Sequence, residues 1–207
     1  MISFHYSQIF LLIYIIIIVV GYFLTYGRVE GKHEKSISEE YGRQTKAKIF
    51  GIGFGLIMLM WIFLIVLYFF VYDSVNWFFK ISILDNDLIK IIAMSIMCFA
   101  FLLIFLFTIN VGKSIKNAEI SGEKSQLITS GIYRFIRHPA YTAFILDVFG
   151  TFFIIPNLLI LSFLLCTVIV MYGHSNEEEK ILIKMYGSEY EEYKKKAGRF
   201  LPKIKRK

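Results

Sequence analysis

Charge is scarce in this chain. Of its 207 residues only 19% are Lys, Arg, Asp or Glu, while 57% are hydrophobic. A composition so apolar points to a life in lipid. Cysteine is nearly absent, and Cys98 and Cys166 each sit inside an apolar run. Their number and spacing exclude a disulfide framework or a cysteine metal site, and leave both as small buried hydrophobes. No glycine-rich phosphate loop, RNA-binding aromatic motif or helix-turn-helix pattern occurs, so the net charge of +7 does not imply a nucleic-acid partner. Basic residues are missing before Arg28, and no small-residue cleavage site follows the first apolar run. That run is expected to be a membrane helix rather than a signal peptide.

What the chain does have is a heavy aromatic load, 21 Phe and 13 Tyr, arranged in long apolar runs. A helix needs roughly 20 apolar residues to cross a bilayer. Runs of that order cover 9–26, 49–72 and 88–111. A fourth stretch, 140–173, is broken only by Asp147 and by Pro156-Asn157, a pair that favours a turn. It reads as two helices in a tight hairpin, each somewhat short for a full span. The expected fold is all-α, a polytopic membrane protein with five transmembrane helices. Residues 1–111 would supply three of them, and 112–207 the functional core. The basic residues alternate to match: six in 28–48, one in 73–87, five in 112–137 and ten after His174. Under the positive-inside rule this puts the N-terminus outside and the C-terminus in the cytosol.

From Asn176 onward the sequence turns charged. Ile181, Leu182, Met185 and Tyr186 make one apolar stripe at helical spacing. A helix is expected here, lying along the membrane or folded over the cytosolic end of the bundle. Gly187 should end it, and Glu189 to Lys196 should begin another helical stretch. The lysines at 194–196 and the basic terminus from Lys203 fit simple anchoring to anionic lipid.

Two polar clusters border the apolar runs: Gly-Ile-Tyr-Arg-Phe-Ile-Arg-His-Pro-Ala-Tyr over 131–141, and His-Ser-Asn-Glu-Glu-Glu-Lys over 174–180. Polar groups beside a bilayer are costly unless they bind something or face water. Pro139 suits the first turn of the fourth helix, which places His138 at a helix N-terminus that attracts anions. Tyr133 and Tyr141 can stack on an aromatic ring or hydrogen-bond a sugar. Glu177, Glu178 and Glu179 offer acceptors. A ligand with a carboxylate, an amine, a ribose and a base would use all of these groups. A plainer reading also stands: Arg134, Arg137 and His138 as topological flanks, and the Glu run as a solvated helix start. His5 and His33 lie far from both clusters and read as surface residues.

The run Leu127-Ile-Thr-Ser-Gly-Ile-Tyr133, followed by Arg137-His-Pro-Ala-Tyr141, resembles the isoprenylcysteine carboxyl methyltransferase family, and phospholipid N-methyltransferases carry a similar run. Glu177-Glu-Glu-Lys-Ile-Leu182, Tyr186-Gly187, Glu189-Tyr190, Tyr193 and Gly198-Arg-Phe-Leu-Pro202 resemble that family's C-terminal segment. The resemblance covers roughly residues 122 to 202. It implies S-adenosylmethionine as methyl donor, bound at the cytosolic helix ends beneath the C-terminal segment. Carried over by position, it implies cofactor roles for Ser125, Gln126, Leu127, Ile128, Tyr133, His138, Pro139, Ala140, Tyr141 and Glu178. Where the carboxyl methyltransferases place a substrate-facing Arg, eight residues before Leu182, this chain has His174. His174 is thus the expected acceptor-facing residue. A neutral His holds a carboxylate less firmly than Arg does.

The implied reaction is direct methyl transfer to a lipophilic acceptor, preferably carboxyl O-methylation of a prenyl-cysteine-like substrate. Phospholipid or small-amine N-methylation is the alternative, with His138 or His174 as base. An NADPH-dependent membrane reductase is less favoured, because the acidic run at 177–179 suits a 2′-phosphate poorly.

Overall fold

The computed structural model describes residues 4–21, 53, 55–70, 80–121 and 126–203. Among these residues six helices stand out: α1 (Phe4–Gly21), α2 (Gly55–Phe70), α3 (Asp87–Ser121), α4 (Pro139–Ile154), α5 (Leu158–Tyr186) and α6 (Ser188–Lys196). Two single-turn 3-10 helices, Ser82–Leu84 and Gly131–Arg134, precede α3 and α4. His33, and the ends of the first two apolar runs, lie outside the described residues.

Among the described residues, two helices are long and apolar enough to cross a membrane: residues Asp87–Ser114 of α3, and α5. Three shorter apolar helices accompany them, Tyr6–Gly21, Gly55–Phe70 and Pro139–Ile154. Large apolar side chains face outward along them, among them Ile9, Ile13, Phe63, Phe99, Phe105 and Ile169. So much apolar surface turned outward is what a lipid solvent demands and water penalises. This is a membrane protein. Cys98 and Cys166 are exposed on that surface, not buried as their apolar surroundings suggested. An apolar run in lipid needs no inward face, so burial cannot be read from hydrophobicity alone.

The hairpin between α4 and α5 turns at Pro156-Asn157. Asn157 caps α5 by accepting from Leu159 N at 2.8 Å, and the Pro156 carbonyl accepts from Ile81 N at 2.7 Å. One expectation fails here. The second hairpin helix is not short, and residues 176–186 form its end rather than a helix of their own. α5 runs 29 residues without a break, carrying the glutamates on the same rod as its apolar part. Nothing between Gly173 and Tyr186 stops a helix, since the segment holds no proline and Glu and Lys propagate well. The stop comes at Gly187, whose φ of +55° suits glycine and strains other residues. α6 folds back from there.

The core lies among α1, α2, α3, α4 and α5, with Leu11, Trp61, Ile65, Met97, Val148 and Met171 fully buried. α4 packs most extensively on α3. Gly150 makes this close approach possible, because a Cβ there would lie 2.4 Å from Met97 Cγ. A polar thread crosses the core. The Tyr14 hydroxyl lies 2.5 Å from Asp147 Oδ1 and 2.9 Å from the Met97 carbonyl oxygen, and Trp61 Nε1 donates to Thr151 Oγ1 at 3.1 Å.

Candidate functional site

The site forms where α4 begins. Pro139 opens the helix, and its missing N–H costs nothing in a first turn. The chain after α6 returns to this point and pairs with the residues before α4. Arg137 N donates to Gly198 O at 2.8 Å, His138 N to Arg199 O at 3.1 Å, and Gly198 N to Phe135 O at 3.0 Å. Thr142 Oγ1 donates to Phe200 O at 3.0 Å. The C-terminal segment thereby straps across the mouth of α4.

Glu179 ties the parts together. It is buried, and it accepts from Arg137 Nε at 3.0 Å, Arg137 Nη2 at 2.8 Å and Arg199 Nη2 at 3.0 Å. His138 Nε2 lies 3.1 Å from it. Arg137 also donates to the Ala197 carbonyl, and the Arg199 guanidinium sits 4.7 Å over the Tyr172 ring. One carboxylate thus joins α5, the entry to α4 and the strap. A buried charge persists only when paired and hydrogen-bonded, and this one is fully engaged.

Glu178 has a different task. Successive helical residues are turned by roughly 100°, so it points away from its neighbour. Its side chain is 46% exposed against 4% for Glu179, and it faces His138 Nδ1 at 3.2 Å. Burial pulls the His138 pKa down, but hydrogen bonds to Glu178 and Glu179 outweigh it and raise the pKa. With a carboxylate on each ring nitrogen, the imidazolium form of His138 is favoured over the neutral ring. Its ring stacks on Tyr141 with centroids 5.5 Å apart.

Between these groups opens a cavity of about 160 Å³. Gln126, Leu127, Ile128, Tyr133, His138, Pro139, Ala140, Tyr141 and Glu178 all line it, so the structure gathers nine of the expected cofactor residues around one space. Ser125 lies outside the described residues. His174 is not among the lining residues. It sits one turn before Glu178 on α5, where its ring packs against Gly53, whose added Cβ would lie 3.1 Å from His174 Cε1.

Further lining residues are given no cofactor role by the sequence, although Leu182, Tyr186, Tyr190 and Tyr193 belong to the motif that carries the resemblance. Tyr190 and Tyr193 project from α6, and Leu182 and Tyr186 from α5. The three-residue spacing of Tyr190 and Tyr193 on an otherwise charged helix was the available signal. Phe107 and Val111 come from within α3, where one apolar residue looks like another. The Tyr193 hydroxyl donates to Tyr133 O at 2.7 Å. Tyr190 Oη is buried and has no hydrogen-bond partner among the described residues. Burial pushes both hydroxyls above the ordinary phenol range, so they remain neutral donors.

Next to this cavity lies a second, apolar chamber of about 370 Å³, bounded by Ile18, Met58, Phe101, Ile104, Phe105, Phe144 and Asp147. Phe107 and Ala140 line both spaces. A polar, aromatic cavity thus adjoins an apolar chamber within the helix bundle. The first suits a cationic, hydroxyl-bearing ligand with an aromatic ring. The second suits a hydrocarbon chain.

Residues 88–189 match the phospholipid methyltransferase family. The chain is 38% identical over 93 residues to the human protein-S-isoprenylcysteine O-methyltransferase, covering 43% of this chain and 33% of that one. It is 35% identical over 81 residues to the Schizosaccharomyces pombe protein of the same name, covering 38% and 34%. It is also 31% identical over 77 residues to a methanethiol S-methyltransferase of Pseudomonas deceptionensis, covering 36% and 28%. The matches span about a third of the length of these relatives. Through residues 88–189 the chain carries a domain of the phospholipid methyltransferase family, and within that family it resembles the isoprenylcysteine carboxyl methyltransferases.

Proposed function

We propose that this protein is an integral membrane S-adenosylmethionine-dependent methyltransferase for a lipophilic acceptor, most readily the carboxylate of a prenyl-cysteine-like molecule. One observation carries the reading: the matched motifs converge on a polar cavity that adjoins an apolar chamber inside the bundle. A soluble donor and a lipid-borne acceptor need that pairing of spaces. The lining also fits the donor. Tyrosine faces favour a sulfonium and an adenine, Glu178 suits an ammonium or a ribose hydroxyl, and the orphaned Tyr190 Oη offers a donor. The first-turn N–H groups of α4 suit a carboxylate. When bound, the cofactor supplies a methyl group that is already activated. The protein's own part is to position and to exclude water. Glu178 and the tyrosines orient the donor, the strap held through Glu179 covers it, and the chamber holds the acceptor's tail. A carboxylate acceptor needs no base. This agrees with His138 being locked between two glutamates, and leaves His174 as the group proposed to face the acceptor.

The five-span topology, the outside N-terminus, the cytosolic site and the placing of the functional core in 112–207 belong to the same proposal. The charge alternation supports the topology and the cytosolic site, and the cavity residues from Gln126 onward support the placing of the core. An acceptor screen with a labelled methyl donor tests the function. S-farnesylcysteine should be methylated in preference to phosphatidylethanolamine or a short-chain thiol, and preference for either of the latter would replace the carboxylate reading.

A further inference from the structure

Two residues border both the polar cavity and the apolar chamber: Phe107 of α3 and Ala140 of α4. The two helices cross from one space to the other at the same level. Along α3, Ile104 lines the chamber, Phe107 both spaces and Val111 the cavity, all at the spacing of one helix face. Along α4 the order reverses. Pro139 and Tyr141 line the cavity, Ala140 both spaces, and Phe144 and Asp147 the chamber. This junction lies in the most extensive helix contact of the described residues, that of α3 with α4. Phe107 is half-buried, and its ring lies 6.3 Å from the Tyr133 ring at a tilt of 45°. Tyr133 is itself tied to α6, because its carbonyl accepts from the Tyr193 hydroxyl.

A group passes between donor and acceptor only when the reacting atoms come within about 3–3.5 Å. With the donor in the polar cavity and the acceptor's chain in the chamber, that contact falls where the two spaces adjoin. We propose, resting on the methyltransferase reading, that Phe107 and Ala140 flank the point of transfer and that Phe107 positions the donor's sulfonium. Of the Phe and Tyr residues lining the cavity, only Phe107 also borders the chamber. The face of its ring carries negative charge and attracts a cation. An aliphatic side chain would divide the spaces equally well and would lack that attraction. Ala140 has the smallest side chain that still lines the junction, and a larger one there would intrude on both spaces. In the transfer, the acceptor's carboxylate oxygen bonds to the methyl carbon as the carbon–sulfur bond breaks. The electron pair of that bond stays on sulfur, and no proton moves. The ring then faces a neutral thioether, which it holds less firmly, and this favours exchange of product for fresh donor.

The test compares binding of S-adenosylmethionine, a sulfonium, with that of S-adenosylhomocysteine, the neutral thioether. Titration calorimetry of the full chain in detergent gives the ratio of the two affinities without any turnover. Phe107→Leu keeps the apolar bulk and removes the ring. It should lower the preference for the sulfonium about two- to fivefold, the worth of a cation–π contact at a partly exposed site. Phe105→Leu, at a residue that borders the chamber alone, should leave the ratio at its wild-type value. A second readout needs no variant. Phe107 is the one phenylalanine among the residues lining the polar cavity. Wild-type protein with protonated Phe in a deuterated background, loaded with methyl-labelled S-adenosylmethionine, should therefore show a nuclear Overhauser contact from the methyl to Phe ring protons. Phe107→Tyr should lose that contact and keep the affinity ratio. An unmoved ratio in Phe107→Leu, an equal change in Phe105→Leu, or no methyl–Phe contact in the wild type overturns the proposal and leaves the methyltransferase reading standing. Binding of neither ligand by the folded wild type rejects that reading, and this proposal with it.

Discussion

Replacing Glu179 with alanine should damage the fold, whereas replacing Glu178 should damage only ligand binding. Glu179 is 4% exposed and accepts three hydrogen bonds from Arg137 and Arg199, with His138 as a fourth neighbour. Removing it strands the Arg137 guanidinium, itself only 7% exposed, without its carboxylate. Breaking a buried pair from one side costs about 3–5 kcal/mol. At about 2–4 °C per kcal/mol for a chain of this size, even the lower figure lowers the unfolding temperature by about 6–12 °C. The strap should loosen in the same variant, since Arg199 is its anchor. Glu178 is half exposed and its pair with His138 is open to water, so Glu178→Ala should cost under about 1 kcal/mol of stability. Loss of its charge-assisted hydrogen bond should nevertheless weaken S-adenosylhomocysteine binding about ten- to a hundredfold. Thermal unfolding in detergent, followed by circular dichroism and paired with calorimetry, reads both effects. Glu179→Ala unfolding at the wild-type temperature, or Glu178→Ala proving the less stable of the two, would refute the division of labour.

The His138 pKa is raised by Glu178 and Glu179 against the opposing effect of burial, so its contribution to stability is complete below the ordinary histidine value of about 6.5. That contribution is lost as pH climbs through the raised value, and a plot of unfolding temperature against pH should fall there in the wild type and not in His138→Gln. Gly187→Ala forces a side chain onto φ +55° and should cost about 1–3 kcal/mol while displacing Tyr190 from the cavity, visible as weaker S-adenosylhomocysteine binding. If His174 faces a carboxylate acceptor, His174→Arg should keep activity and His174→Ala should raise KM more than it weakens cofactor binding. Loss of turnover in His174→Arg, with methylation of an amine by the native chain, would favour the N-methyltransferase alternative.

Much of this arrangement could be read along the chain because it is local. Pro139 after His138 marks a helix start, Pro156-Asn157 marks the hairpin, and Gly187 marks a stop; each works through its own backbone. What stayed hidden depends on phase or on distant pairing. A motif that reaches both Glu178 and Glu179 cannot say which is buried, because the answer lies in how α5 is rotated against α4. The strap's pairing of Arg137 with Gly198 leaves no periodic trace in either segment. Asp147 was visible only as an interruption in an apolar run, since its partner Tyr14 lies far away in α1. The division of the charged tail from its membrane helix was misread because a change of solvent was taken for a change of element. A helix continues through such a boundary when no residue breaks it.

The most direct test of the central claim is calorimetric titration of the detergent-solubilised protein with S-adenosylhomocysteine. The account predicts saturable binding at one site per chain, weakened in Tyr141→Ala and in Glu178→Ala, with no comparable binding of NADPH. Absence of S-adenosylhomocysteine binding in a folded sample, or affinity unchanged in both variants, would contradict it.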